Sequence, residues 1–177
     1  MTFPVFASGD VLNASDMNAV GLWLVKTQTI GSAVSSVAVT NAFSSDYDAY
    51  KITVTGGVAS ASDGDFNLIL TGSTASYYNT TIYASYGAAT ASVVGANNGA
   101  AWTFLGAAGT STLSLEMTLI NPFLAKPTLL QTSITRSDIA GTTNGRHAVS
   151  TSYTGFTLSP SSGTITGGNI RVYGYRN

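Results

Sequence analysis

The chain has no cysteine among its 177 residues, which removes disulfides, thiolate nucleophiles and zinc–thiolate sites together. Charge is almost as scarce. Asp, Glu, Lys and Arg make up 8% of the chain, against a usual share of about 25%, and the formal net charge is −1. The seven Lys and Arg are scattered, so the basic stripe that marks a nucleic-acid binder is missing. No stretch approaches the ~18 consecutive apolar residues of a spanning helix, and no membrane insertion is expected. The start, MTFPVFASGD, lacks the basic residues and apolar block of a signal peptide. Synthesis in a cytosol is the expectation.

Signals of catalysis are equally thin. The single histidine, His147 in NGRHAVSTSY, reads as a polar residue at a strand start. One histidine without cysteine leaves almost no way to build a transition-metal site. The chain contains no G-x-S-x-G elbow, phosphate loop, dinucleotide fingerprint or zincin helix. Two D-x-D triplets occur, Asp46-Tyr47-Asp48 and Asp63-Gly64-Asp65. They lack the further oxygens and closing Glu of a calcium loop, and Asp63-Gly64 reads as a hairpin turn. A chain that is not an enzyme and carries no cofactor is expected.

What is abundant is hydroxyl and apolar surface. Ser and Thr supply about a quarter of the chain and hydrophobic residues 44%, and that hydrophobicity with so little charge favours folding over disorder. A near-neutral surface gives little repulsion between copies, which points to burial against other chains.

Residues 1–22 differ from the remainder. Asn13 is placed to N-cap a short helix over Ala14–Val20, with Asp16 three positions later and Gly21 as its end. A helix this short is marginal alone, so Phe3, Phe6, Val11, Leu12 and Met17, with Trp23 just beyond, must lean on the domain or on a neighbouring chain.

From Trp23 the pattern changes to period two, the mark of half-buried strands. In STLSLEMTLI, Leu113, Leu115, Met117 and Leu119 share one face. Tyr50, Ile52 and Val54 repeat the pattern, as do Phe66, Leu68 and Leu70. Further strands are expected at 23–30, 34–40, 80–86, 128–136, 146–153 and 169–176. Between them lie Gly-Gly, Asp-Gly, Asn-Gly and Ser-Gly turn signals. The Gly/Ala-rich stretch around Trp102 and Phe104 reads as one or two weak strands with a long loop. With no long amphipathic helix, the expected fold is all-β: an antiparallel β-sandwich or jelly-roll-like domain over 23–177, preceded by the helical attachment segment. Tyr50, Phe66 and Phe156 read as core, whereas Tyr77 and Tyr78, in STASYYNTT, and Trp102 are candidate contact or stacking residues.

Three segments carry a resemblance. FASGDVLNASDMNAV resembles the N-terminal element of many tailed-bacteriophage structural proteins, Gly-Asp-x-Leu-x-Ala-x-Asp-x-Asn. AFSSDYDAYKITVTGG and TGFTLSPSSGTITGGNIRVYGYRN resemble the first and last core strands of small phage β-domains in tail fibres, head fibres and appendages. Residues 58–145 have no counterpart in it. The resemblance implies a virion protein made in the bacterial host cytoplasm, homotrimeric, attached to other virion proteins through Phe3 to Trp23, and non-catalytic. It also gives the last strand a purpose. Ile170 and Val172 would fill the core, while Arg171, Tyr173 and Tyr175 would meet a neighbouring protomer. Several readings follow: a tail-fibre or tail-associated trimer contacting the host surface or its glycans, a capsid decoration or head-fibre protein, and a carbohydrate-binding module using Tyr77, Tyr78 and Trp102. A hydrolase would need a constellation of Asp and Glu that is not visible.

Overall fold

The computed structural model describes residues 8, 9, 11, 21–88 and 90–176. The described residues form fourteen strands and no helix: β1 (Leu22–Thr29), β2 (Val37–Val39), β3 (Tyr47–Thr55), β4 (Val58–Ala59), β5 (Asp63–Leu70), β6 (Tyr77–Ser85), β7 (Ser92–Gly99), β8 (Trp102–Gly109), β9 (Leu113–Ile120), β10 (Thr128–Thr135), β11 (Ile139–His147), β12 (Phe156–Pro160), β13 (Ile165–Thr166) and β14 (Asn169–Arg176). All pairings are antiparallel, as expected for a chain without crossover helices. The helix expected at Ala14–Val20 lies outside the described residues.

Strand β9 is the junction. One of its edges carries β3, followed by β14 and β1. Its other edge is shared. Met117 to Ile120 pair with β10, which continues through β11 and β6 to β7. Leu113 and Ser114 instead pair with β8, which continues through β5 and β12 to β2. Strands β4 and β13 form a separate two-stranded ribbon.

The core follows from the period-two sequence. Tyr50, Ile52, Val54, Leu115, Met117, Leu119, Ile170 and Val172 are buried in one cluster with Phe66, Leu68, Leu70, Leu105, Phe156 and Leu158. Each such side chain contributes about 1.5–3 kcal/mol of transfer free energy. Apolar burial therefore holds the two arms together. Backbone constraint helps where β3 turns into β4 and β13 into β14. Gly57 and Gly167 both have positive φ, and a Cβ on Gly57 would collide with the Gly167 carbonyl.

Three strand expectations are corrected. The expected strand at 146–153 is displaced. The strand there is β11, which ends at His147 rather than beginning near it, because its partners in β6 run out at Tyr77. Asp63-Gly64 is not a turn. The pair opens β5 opposite Gly109 and Ala108. The Gly/Ala-rich stretch holds no long loop around Trp102. It forms β7 and β8 with only two residues between them, and Asn98, at positive φ, lies near the end of β7 where its register with β6 shifts between Tyr77 and Asn79.

Candidate functional site

In antiparallel pairs, residues directly opposite share a face, so the registers give the outer surface of β1, β14, β3, β9, β10, β11 and β6 row by row. The first row runs Leu22, Tyr175, Ala49, Ile120, Leu129, Arg146, Tyr78. It is apolar over five strands. Leu22, Tyr175 and Leu129 are 41%, 39% and 40% exposed. The next row runs Leu24, Tyr173, Lys51, Thr118, Gln131, Asn144, Thr80. It begins apolar and becomes polar. The third begins Thr27, Arg171, Thr53, Glu116. One face therefore grades from an apolar band near the β14 end into a hydroxyl- and amide-bearing field.

The alternation expected for β14 holds. Ile170 and Val172 are fully buried, while Arg171, Tyr173 and Tyr175 point outward. Arg171 donates to Thr55 Oγ1 at 3.0 Å. Trp23, expected in the attachment segment, is the second residue of β1, paired with Gly174 and half-buried. Val11 is 84% exposed, and Phe3, Phe6, Leu12 and Met17 lie outside the described residues.

A polar cleft opens where β9 changes partner. At the switch, Thr132 Oγ1 donates to the Glu116 carbonyl at 2.8 Å. The two arms part around a hollow of about 640 Å³ lined by Gly106, Ser114, Glu116, Thr118, Gln131, Ser133, Thr135, Thr142 and Asn144, among others. Lys51 Nζ pairs with Glu116 Oε1 at its rim. Asn144 also lines a second hollow of about 440 Å³, together with Tyr78, Thr80, Asn97 and Arg146. The Arg146 guanidinium lies 5.4 Å from the Tyr78 ring centroid, a cation–π distance. Neither Gln131 nor Asn144 was legible as a site residue, because only the register places them side by side.

The aromatic trio is corrected. Tyr77 and Trp102 are 0% exposed and pack edge to face at 5.0 Å between centroids, so neither offers a ring to a ligand. Only Tyr78 of the three remains partly exposed. The reason is that β8 runs beneath β6 and β11, where the uncharged sequence from Phe66 to Leu115 permits burial on both sides.

The same cluster encloses His147, against Tyr77, Trp102 and Tyr153. Burial pushes the imidazole below the usual histidine range, opposed by the Ala75 and Val149 backbone. Its Nε2 lies 2.7 Å from Ser73 Oγ and 3.0 Å from the Ala75 carbonyl. A carbonyl only accepts, so the Ala75 contact is made with a hydrogen on Nε2, the nitrogen that Ser73 Oγ also approaches, while Nδ1 faces the Tyr153 hydroxyl at 3.4 Å.

The second D-x-D triplet is used internally. Arg136 forks onto Asp138, Nε to Oδ1 at 2.9 Å and Nη2 to Oδ2 at 2.7 Å, and reaches Asp65 Oδ1 through Nη1 at 3.0 Å. Asp63 accepts from Ser137 Oγ. These contacts clamp the β10–β11 turn to the start of β5. Burial raises the Asp65 carboxyl, with Arg136 pulling it down, whereas the hydrogen bonds from Arg136 lower Asp138. Among the described residues no group of three His, Asp or Glu is placed to hold a metal ion.

No protein-family profile, curated protein or solved structure matches this chain. Its functional reading rests on the residues themselves.

Proposed function

We propose that this chain is a non-enzymatic structural subunit of a tailed-bacteriophage virion, a tail-fibre or tail-associated protein. In this reading the two arms of sheet form a β-sandwich of jelly-roll type, residues 1–22 attach it to other virion proteins, and three copies associate through the outward face of β14. The observation that carries the reading is the exposed apolar row Leu22, Tyr175, Ala49, Ile120, Leu129, with Leu24 and Tyr173 beside it. Contiguous exposed apolar surface marks an interaction site, and Tyr and Arg are the residue types that dominate interface energetics. Strand β14 is paired on both sides, so Arg171, Tyr173 and Tyr175 are presented on a rigid element. A net charge of −1 sets little repulsion between copies.

Light scattering of the full chain tests the assembly. Three times the chain mass of 18.1 kDa is expected, and the mass of a single chain at all concentrations would contradict it.

A further inference from the structure

We propose that the cleft at the β9 partner switch, continued through Asn144 to the Tyr78 hollow, binds a neutral oligosaccharide. The inference does not depend on the virion reading, since it concerns a surface of the single chain. Size comes first. About 640 Å³ falls within the ~300–1,000 Å³ of small-molecule sites. The adjoining hollow of about 440 Å³ shares Asn144, so the surface is elongated, as a chain of sugar rings is. Chemistry then narrows the ligand. The cleft is walled by hydroxyls and side-chain amides, which excludes a predominantly apolar ligand.

Charge narrows it further. Glu116, the one carboxylate lining the cleft, is paired with Lys51, so the cleft itself favours neither a cation nor a phosphate. Arg146, in the adjoining hollow, has no carboxylate partner among the described residues and lies over the Tyr78 ring. The unengaged groups of the cleft itself are neutral and two-sided. Gln131 and Asn144 make no side-chain hydrogen bond within the described residues, and each amide offers donors and acceptors in one plane. A sugar hydroxyl needs both. At the far end the partly exposed Tyr78 ring, with Arg146 over one face, supplies aromatic surface for the apolar side of a pyranose. These side chains stand on β10, β11 and β6, which hold them in register before a ligand arrives.

The test is two-dimensional NMR of the full chain titrated with neutral linear hexasaccharides of glucose (α-1,4, β-1,4 and β-1,3), of N-acetylglucosamine and of mannose. At least one should shift the amides of Thr118, Gln131, Asn144 and Arg146. Asn144→Ala should weaken that binding at least tenfold, with circular dichroism and oligomeric mass unchanged. Lys51→Ala should leave detectable binding. No shift with any of the five overturns the proposal. So does binding that Asn144→Ala and Gln131→Ala both leave intact. The oligomeric mass, measured on the same samples, keeps a failure here separate from a failure of the assembly reading.

Discussion

The ring of Tyr47 lies against the backbone of Gly174, so closely that a Cβ built on Gly174 would collide with Cγ and both Cδ atoms of the ring. The arrangement comes from a register shift between Tyr175 and Arg176, where β14 passes from Ala49 to Tyr47 as its partner. Tyr47 would otherwise share the outer face with Ala49 and Lys51. The shift turns it onto the core, edge to face with Tyr50 at 5.8 Å. The glycine between Tyr173 and Tyr175 is thus a packing requirement of the inner face, while the two tyrosines serve the outer one.

Gly174→Ala is therefore expected to destabilise the fold by about 1–3 kcal/mol, the usual cost of overpacking. The urea midpoint of the variant should fall accordingly. A midpoint equal to wild type would mean that Tyr47 does not occupy this position.

Trp102→Ala should cost about 3–5 kcal/mol, the range for a buried aromatic truncation, because the indole is fully enclosed. Its emission in the wild type should lie at the blue end of the tryptophan range, and iodide should leave Trp102 unquenched in a Trp23→Phe background. Ready quenching would return Trp102 to the list of contact residues.

Removing Arg136 leaves Asp65 as a buried carboxylate without its cation, which costs about 3–5 kcal/mol. The penalty depends on pH. Burial already raises Asp65, and Arg136 is what holds it down, so Asp65 rises further in Arg136→Ala. An acid whose folded value exceeds its unfolded one is favoured in the protonated form. It loses stability as pH climbs from the unfolded value through the folded one. Asp138 acts in the same sense, since the variant loses the stability that a lowered carboxyl contributes at higher pH. Urea unfolding at about pH 4, where unfolded carboxyls are about half protonated, and at about pH 7, where they are ionised, should show the larger deficit at pH 7. An equal or larger deficit at pH 4 would contradict this.

How much of this was legible beforehand depended on whether a feature was local. Leu113, Leu115, Met117 and Leu119 declare their shared face through alternation alone, and all four are buried. Ile170 and Val172 do the same in β14. Trp102 was misread because its burial is decided by β8 passing under β6 and β11, a contact between segments with no pattern linking them. Asp63-Gly64 carries turn residues, yet pairing with Gly109 and Ala108 draws it into β5. The groove was invisible for the same reason. Thr118, Gln131 and Asn144 are ordinary outward residues of three strands until the registers of β9, β10 and β11 set them beside one another.

The central claim is that the outward tyrosines of β14 join one copy to the next. Light scattering of the full-length double variant Tyr173→Ala, Tyr175→Ala, run beside wild type over the same concentrations, tests it most directly. Both side chains lie on the outer face, so the variant should keep its far-ultraviolet circular dichroism. Its mass should drop from the wild-type oligomer to the 18.1 kDa of one chain. A folded variant that retains the wild-type oligomeric mass would contradict the account.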